Sequence, residues 1–406
     1  MGDFKQNGII TTIHNLTRRD PDELNRELLA FSKVRPLGLI LPSLYSELEG
    51  PALQKIVMAL KSVDYLNEIV IGLDRATIDE FRHALDFFGD LPQHHRILWN
   101  DGSRLQALDK ELTALGVAPT QKGKGRNVWY CIGYVQATGR SESIALHDCD
   151  IVTYDRAMLA RLLYPVANPL FNYEFCKGYY ARVADNKMNG RVARLLVTPL
   201  IKSLNRTLGH MDYLDYMDSF RYPTAGEMSF RQDVMSDLRI PSDWGLEVGV
   251  LSEMYRNYSC NRLCQVDVAD TYDHKHQKLS LDDEESGLSK MSIDIIKALF
   301  RKLAIHGVTL NNETFRTLKA TYYRTALDFI EAYHADAAMN GLTLDIHKEE
   351  VAVELFAQNI MRAGNYFLDN PMDTPFIPTW KRVQSAMPNV FERLIEAVEE
   401  DRNEFM

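Results

Sequence analysis

The stretch SIALHDCDI, residues 143–151, closes a short apolar run with two aspartates one residue apart. On an extended backbone side chains alternate, so Asp148 and Asp150 leave the chain on the same side. Carboxylates that close repel each other, and either water in a loop or a cation relieves them. Hard oxygen donors suit Mg2+ or Mn2+, and an imidazole joins such a set more readily on Mn2+. A cation held there would bridge two phosphates, offset their charge and stabilise a departing diphosphate. A solvated strand end is the plainer alternative for an isolated Asp-X-Asp, so the rest of the chain has to decide.

Other pieces could serve the same chemistry. DTYDHKHQKL places His274 and His276 two residues apart, on one face of an extended segment, with a polar turn as the alternative. QKGKGRN, residues 121–127, joins two glycines to three cations, among them Lys124. Glycine lets a backbone approach a phosphate and a lysine supplies charge, but the P-loop spacing is missing and a basic turn is the ordinary reading. PTAGEMSF and SDWGLEVGVL set Glu227 and Glu247 close to glycines, where a carboxylate could accept hydrogen bonds from sugar hydroxyls. Cys260 and Cys264 are spaced C-x3-C without a second pair nearby, which points to buried thiols rather than a metal site.

The elements that must position these residues follow from periodicity. DPDELNRELLAFSKV carries a helix start signal, and the first thirty residues look helical. PLGLILPSLYSE, NEIVIGLD and HRILWND are strand-like, and GPALQKIVMALKS, TIDEFRHALDFF and NVWYCIGYVQAT are helical. Alternating strands and helices predict an α/β fold with a mostly parallel sheet flanked by helices, which binds ligands at the carboxyl ends of its strands. Pro42–Glu47, Asp74 and Asp148–Asp150 all fall at such ends. From residue 165 to about 280 the pattern is mixed. LFNYEFCKGYYARV alternates there, and GRVARLLVTPLIKSLNRTL is helical amid short loops and strands. From 291 onward it is helical, with Gly307 and Gly341 as helix ends. The acidic run SLDDEESGLSK reads as a hinge between the two parts.

In order and spacing, these pieces resemble the retaining GT-A glycosyltransferases that make glucosyl-3-phosphoglycerate. The segments LPSLYSE, LDRATID, GKGRN, DCD, KGYYAR, GRVA, PTAGE, WGLEVGVL and HKH carry the resemblance over residues 37–280. It implies a GT-A, Rossmann-like mixed sheet over residues 35–285; periodicity adds an N-terminal helical segment (1–34) and a C-terminal helical region (286–406), the latter longer than the resemblance explains. The resemblance also implies that Pro42, Leu44 and Glu47 border the nucleotide base and ribose with Thr77 close by. Lys124 lies by the nucleotide or diphosphate. Asp148, Asp150 and His274 hold the metal, and Glu247 holds the donor sugar. The backbone around Thr224–Gly226 lies under the anomeric carbon, so Glu247, Thr224 and Asp150 form the catalytic set. Arg191, Lys177, Glu227 and His276 complete the substrate side, with Arg191 on the acceptor's anionic group. Departures fall on the acceptor side, at Ala193 and His276, and at the base, at Tyr45-Ser46 and in GLDRA.

The reading is therefore a metal-dependent retaining transferase. It moves a hexose, glucose by resemblance, from a UDP- or GDP-linked donor to a small anionic acceptor such as 3-phosphoglycerate or glycerate. A sugar nucleotidyltransferase and a non-catalytic nucleotide-sugar sensor or scaffold are the alternatives. The 406 residues, 46% of them hydrophobic, suit a folded core, and the net charge of −10 argues against a nucleic acid or anionic membrane partner. No signal segment or membrane-length apolar run is evident, and five cysteines do not form a disulfide framework, so a cytoplasmic location is expected. The apolar surplus of the C-terminal helices, including Tyr322, Tyr323, Phe329 and Tyr333, predicts a homodimer.

Overall fold

The computed structural model describes residues 6, 8–119, 121–274, 287–371 and 377–406. His276 and most of the acidic run expected to be a hinge lie outside the described residues.

Strands β1 (Thr11–Ile13), β2 (Leu37–Leu44), β3 (Leu66–Asp74), β4 (His95–Trp99), β5 (Ser143–Leu146), β6 (Phe175–Tyr180), β7 (Val183–Ala184), β8 (Lys187–Met188), β9 (Met228–Arg231) and β10 (Leu263–Ala269) occur among the described residues. Eight of them form one sheet in the order β1-β10-β6-β9-β5-β2-β3-β4, while β7 and β8 form a separate hairpin. Only β9 runs antiparallel, to β5 on one side and β6 on the other. The sheet is therefore mixed and flanked by helices, as a GT-A fold requires. Its central strands are buried on both faces, which is why β2 and β3 read as nearly continuous apolar runs rather than alternating ones.

Several expectations are corrected. The first thirty residues are not simply helical: the helix Pro21–Ser32 follows β1, which pairs in parallel with β10 at the sheet edge. The stretch 165–280 holds more helix than its pattern suggests, including Asp212–Asp218 and Leu246–Asn257, and Ser103–Ala114 was also unforeseen. β5 stops at Leu146, so the Asp-Cys-Asp segment lies on the loop beyond the strand and strand alternation does not orient it.

The C-terminal helices pack onto the sheet part of their own chain. Trp380 stacks on Trp129 with ring centroids 4.2 Å apart, and its indole N–H donates to the Trp129 carbonyl at 2.8 Å. Gly133 makes this possible, because a Cβ there would lie 2.1 Å from the Trp380 ring. In the helix Val390–Phe405, Glu400, Asp401 and Glu404 surround the Arg104 guanidinium. Tyr322, expected at a contact between copies, is buried within the chain. Among the described residues, no helix is long and apolar enough to cross a membrane.

Glu68 on β3 is wholly buried and takes a hydrogen bond from Thr138 Oγ1 at 3.1 Å. Burial pushes its carboxyl up to about 7, against the opposing pull of Thr138 and Arg140. Between its usual range and that value the folded chain keeps a proton that the unfolded chain has released, so stability falls as pH rises through this window. Glu68→Gln removes the buried charge and keeps an acceptor for Thr138. Its melting temperature at pH 8 is expected to exceed wild type by several degrees, with the gain absent at pH 4.5. Equal shifts at both pH values would refute this.

Candidate active site

The site is assembled where the chain leaves β5. His147 N–H still donates to Ile40 C=O at 3.2 Å, and the backbone then turns from the sheet. Ile151 bridges antiparallel to His274, and Val152 N–H donates to Asp273 C=O at 2.9 Å. This short pairing between distant parts of the chain brings His274 beside the two aspartates. Ligand atoms of Asp148, Asp150 and His274 all lie within 4.8 Å of one another. His274 Nδ1 is 3.6 Å from Asp150 Oδ1, beyond a hydrogen bond, and is buried without a partner. An orphaned imidazole nitrogen facing two carboxylates fits a divalent cation as the missing partner.

Lys124 is the second organising group. It is the first residue of the helix Lys124–Thr138, after Gly123 at the N-cap. Its ammonium lies 2.6 Å from Asp148 Oδ1 and 3.0 Å from Glu247 Oε1. Burial works against this charge, but Asp148 and then Glu247 outweigh it and hold the ammonium well above its usual range. Burial likewise disfavours the Asp148 carboxylate, and Lys124 reverses the balance and holds it below the usual range. The neighbouring glycines serve packing within the chain. A Cβ on Gly125 would lie 2.1 Å from the Pro241 carbonyl, and one on Gly123 would lie 2.7 Å from that of Ser242. That close approach carries the helix Leu246–Asn257, and Glu247 in its first turn, to within reach of Lys124.

The floor is the Thr224–Gly226 turn. A Cβ on Gly226 would fall 2.3 Å from Asp148 Oδ2, so only glycine lets this backbone lie against the carboxylate. Lys177 and Glu227 stand beneath the turn, both wholly buried, and neither offers surface to a substrate. Lys177 Nζ donates to the Ala225 carbonyl. Burial depresses this amine to about 8, although Glu247 and Glu227 favour its charge. Glu227 accepts from the hydroxyls of Tyr180 at 2.8 Å and Tyr272 at 2.7 Å, and the two rings stack 3.6 Å apart. Burial, then the charge of Asp148, pushes the Glu227 carboxyl up.

At the other edge, Pro42 and Leu44 pair with Gly72 and Asp74 across the ends of β2 and β3, and Glu47 follows on a short helix. Thr77 caps the helix Ile78–Gly89 in a reciprocal box with Glu80, its hydroxyl accepting from Glu80 N–H at 3.4 Å. That leaves the hydroxyl hydrogen to donate elsewhere. Asp74 is tied to Asn100 at 2.8 Å. Arg191 pairs with Glu349 at 2.7 Å. The cysteines are all free, with Cys260 only half-buried.

Known proteins decide the family. A curated glucosyl-3-phosphoglycerate synthase from Persephonella marina is 48% identical over 404 residues, spanning 100% of both chains. The chain belongs to the glucosyl-3-phosphoglycerate synthase family. A relative of the same name from Methanococcoides burtonii is 40% identical over 407 residues, covering 99% of each chain. Both likenesses include the C-terminal helices. No family model matches the chain. Among solved structures, the glucosyl-3-phosphoglycerate synthase of Mycobacterium tuberculosis with Mn2+, UDP-glucose and phosphoglyceric acid superposes with a TM-score of 0.54 at 20% identity, over 73% of this chain and 88% of that one. The mannosyl-3-phosphoglycerate synthase of Rubrobacter xylanophilus gives 0.54 at 18%, over 74% and 83%. At such identities these two show the fold, and family membership sets aside the nucleotidyltransferase alternative.

Reading the residues missed Tyr180, Tyr272 and Glu349. Tyr180 lies within KGYYAR and Tyr272 two residues before His274, so both sat in segments already singled out. Glu349 gave no signal. Asp150→Ala is expected to lower turnover at least ~100-fold and to leave the melting temperature within a degree or two, because the carboxylate sits in a partly open loop. Near-normal Mn2+-dependent turnover by this variant would remove Asp150 from the metal set.

Proposed function

We propose that the chain transfers glucose from a nucleoside diphosphate to the single free hydroxyl of 3-phosphoglycerate, with retention at the anomeric carbon. The observation carrying this reading is the juxtaposition of the Asp148, Asp150 and His274 cluster with the Lys124–Glu247 pair and the glycine turn. These residues would hold Mg2+ or Mn2+, which offsets the charge of the leaving diphosphate.

The roles of the chain's own groups follow from placement. Lys124 stands at the metal edge, where it adds a fixed positive charge beside the diphosphate. Glu247, oriented by Lys124, accepts hydrogen bonds from the glucose hydroxyls. The Thr224–Gly226 backbone, supported by Lys177 from below, lies under the reacting carbon. Lys177 and Glu227 support this turn without touching substrate. Pro42, Leu44, Glu47 and Thr77 border the base and ribose, and Arg191 takes the acceptor's anion, with His276 assigned to the same side by resemblance. In the reaction the bond from the anomeric carbon to the diphosphate oxygen breaks and a bond to the acceptor oxygen forms. The acceptor proton passes to the leaving phosphate, so no protein base of matched pKa is required.

The donor base, UDP- or GDP-linked, belongs to the same proposal. A homodimer through the C-terminal helices now rests on the exposed Tyr323 and the partly exposed Phe329. A monomer in light scattering at micromolar concentration would exclude it. A cytoplasmic location fits the five free thiols.

Among UDP-glucose, GDP-glucose and GDP-mannose, each assayed with 3-phosphoglycerate and with glycerate, the fastest turnover is expected from a glucose donor with 3-phosphoglycerate, giving glucosyl-3-phosphoglycerate by mass spectrometry. The glycosidic bond should keep the donor's anomeric configuration by NMR. Donor hydrolysis alone, or an inverted linkage, would overturn the proposal.

A further inference from the structure

Arg191 precedes a helix of unusual winding. Val192–Val197 form a π-helix in which Thr198 N–H donates to Ala193 C=O, five residues back. Pro199 has no N–H, so the Leu195 carbonyl lacks the donor an α-helix would supply. The Tyr322 hydroxyl donates to it instead, at 2.5 Å, from the helix Asn312–Met339. A π-turn of this kind commonly marks a functional position, and here the C-terminal region stabilises it.

The next C-terminal helix, Ile346–Asp369, supplies Glu349 to the same place. One of its oxygens accepts from Arg191 Nε at 2.7 Å and the other from Arg194 Nη2 at 2.8 Å. Arg194 is committed to structure: it also donates to the carbonyls of Asn189 and Met188 and lies over the Tyr333 ring. Arg191 differs. Its side chain is 36% exposed, and among the described residues its hydrogen bond runs through Nε alone. Both terminal nitrogens are left as a planar fork, the geometry that grips a carboxylate or phosphate through two parallel bonds. Because Arg194 offsets the Glu349 charge, Arg191 keeps its attraction for an anion.

The start of that helix is itself fixed. Thr343 N–H donates to the Asn186 carbonyl at 2.7 Å, tying the loop before Asp345 to the β7–β8 hairpin. Beside Arg191, Gly190 adopts a φ of 80° and packs against Tyr222, where a Cβ would meet the hydroxyl at 3.0 Å. Tyr222 stands two residues before Thr224, so the arginine and the turn are built against each other.

We propose that Glu349 is a positioning residue for the anionic acceptor, holding Arg191 by its inner nitrogen with the fork free for 3-phosphoglycerate. The C-terminal helical region thereby forms part of the acceptor site. This inference rests on the acceptor role proposed for Arg191.

The test compares Glu349→Gln, Arg191→Gln and the double variant in steady-state kinetics, with melting temperatures measured alongside. Glu349→Gln offers one carbonyl and one amide where two arginines need acceptors. It is expected to raise the KM for 3-phosphoglycerate about tenfold, with kcat and donor KM within about twofold of wild type. The double variant should be no worse than Arg191→Gln alone, since both act on one contact. Should Glu349→Gln melt at assay temperature, Glu349→Asp keeps the charge on a shorter arm and should show a smaller rise in the same constant. A raised acceptor KM in Arg191→Gln with wild-type values in the Glu349 variants would overturn the positioning role and spare the acceptor reading. An unchanged acceptor KM in Arg191→Gln would overturn both. Parallel losses in kcat and both KM values, tracking the melting temperature, would reduce Glu349 to a structural residue.

Discussion

One ammonium group holds this site together. Lys124 sits between Asp148 and Glu247, carboxylates from different parts of the chain that would otherwise repel across a poorly hydrated space. Removing one partner from a buried ion pair typically costs about 3–5 kcal/mol, because the remaining charge is left uncompensated. The rest of the architecture can be understood as meeting that demand. Gly123 and Gly125 let the start of the lysine's helix press against Pro241–Ser242, and the same contact fixes the start of the helix that bears Glu247. Gly226 clears the room that Asp148 occupies. Beneath them, Lys177 and Glu227 put a second pair of opposite charges under the turn, satisfied by a carbonyl and two tyrosine hydroxyls.

The chemistry of the metal edge was legible because residue type and spacing carry it. Asp148, Asp150 and His274 are ligand types, so the residues could be singled out from the sequence with a solvated strand end and a polar turn as the alternatives, and the fold brings their ligand atoms within 4.8 Å of one another. Strand alternation does not orient the aspartates, because β5 ends at Leu146; the bridge between Ile151 and His274 holds the segment instead. Lys177 and Glu227 were legible as polar residues in meaningful segments, but their burial was not, since burial depends on which strands flank β6 and β9. Glu349 was illegible altogether. It lies on an amphipathic helix 158 residues from Arg191, and periodicity says nothing about what lies opposite a helix face.

The fold shows the same division. β2, β3 and β4 and the helices Pro21–Ser32, Pro51–Leu60 and Ile78–Gly89 announced themselves through apolar runs and start signals. Of the overlooked helices, Ser103–Ala114, Asp212–Asp218 and Leu246–Asn257 begin after Gly102, Met211 and Gly245 with no side-chain cap, whereas Arg156–Ala167 is capped by Asp155. In the first three, without a Ser, Thr, Asp or Asn cap to mark the first turn, the boundary has no local signature, and tertiary packing supplies the stability that the cap would have contributed. β1 was hidden for another reason. Three residues at a sheet edge are too few to display a period, and they become a strand only because β10 offers its edge.

The docking of Trp380 against Trp129 has a consequence in time. The two residues lie 251 positions apart, and the indole N–H of each is spent on a backbone carbonyl at the other's end of the contact. On a ribosome, the helix that begins at Lys124 emerges long before its tryptophan partner. Until then the slot left by Gly133 presents apolar surface to water. A chaperone, or a neighbouring nascent chain, would meet that surface first, and the nascent polypeptide must be guarded there until its last two helices are made.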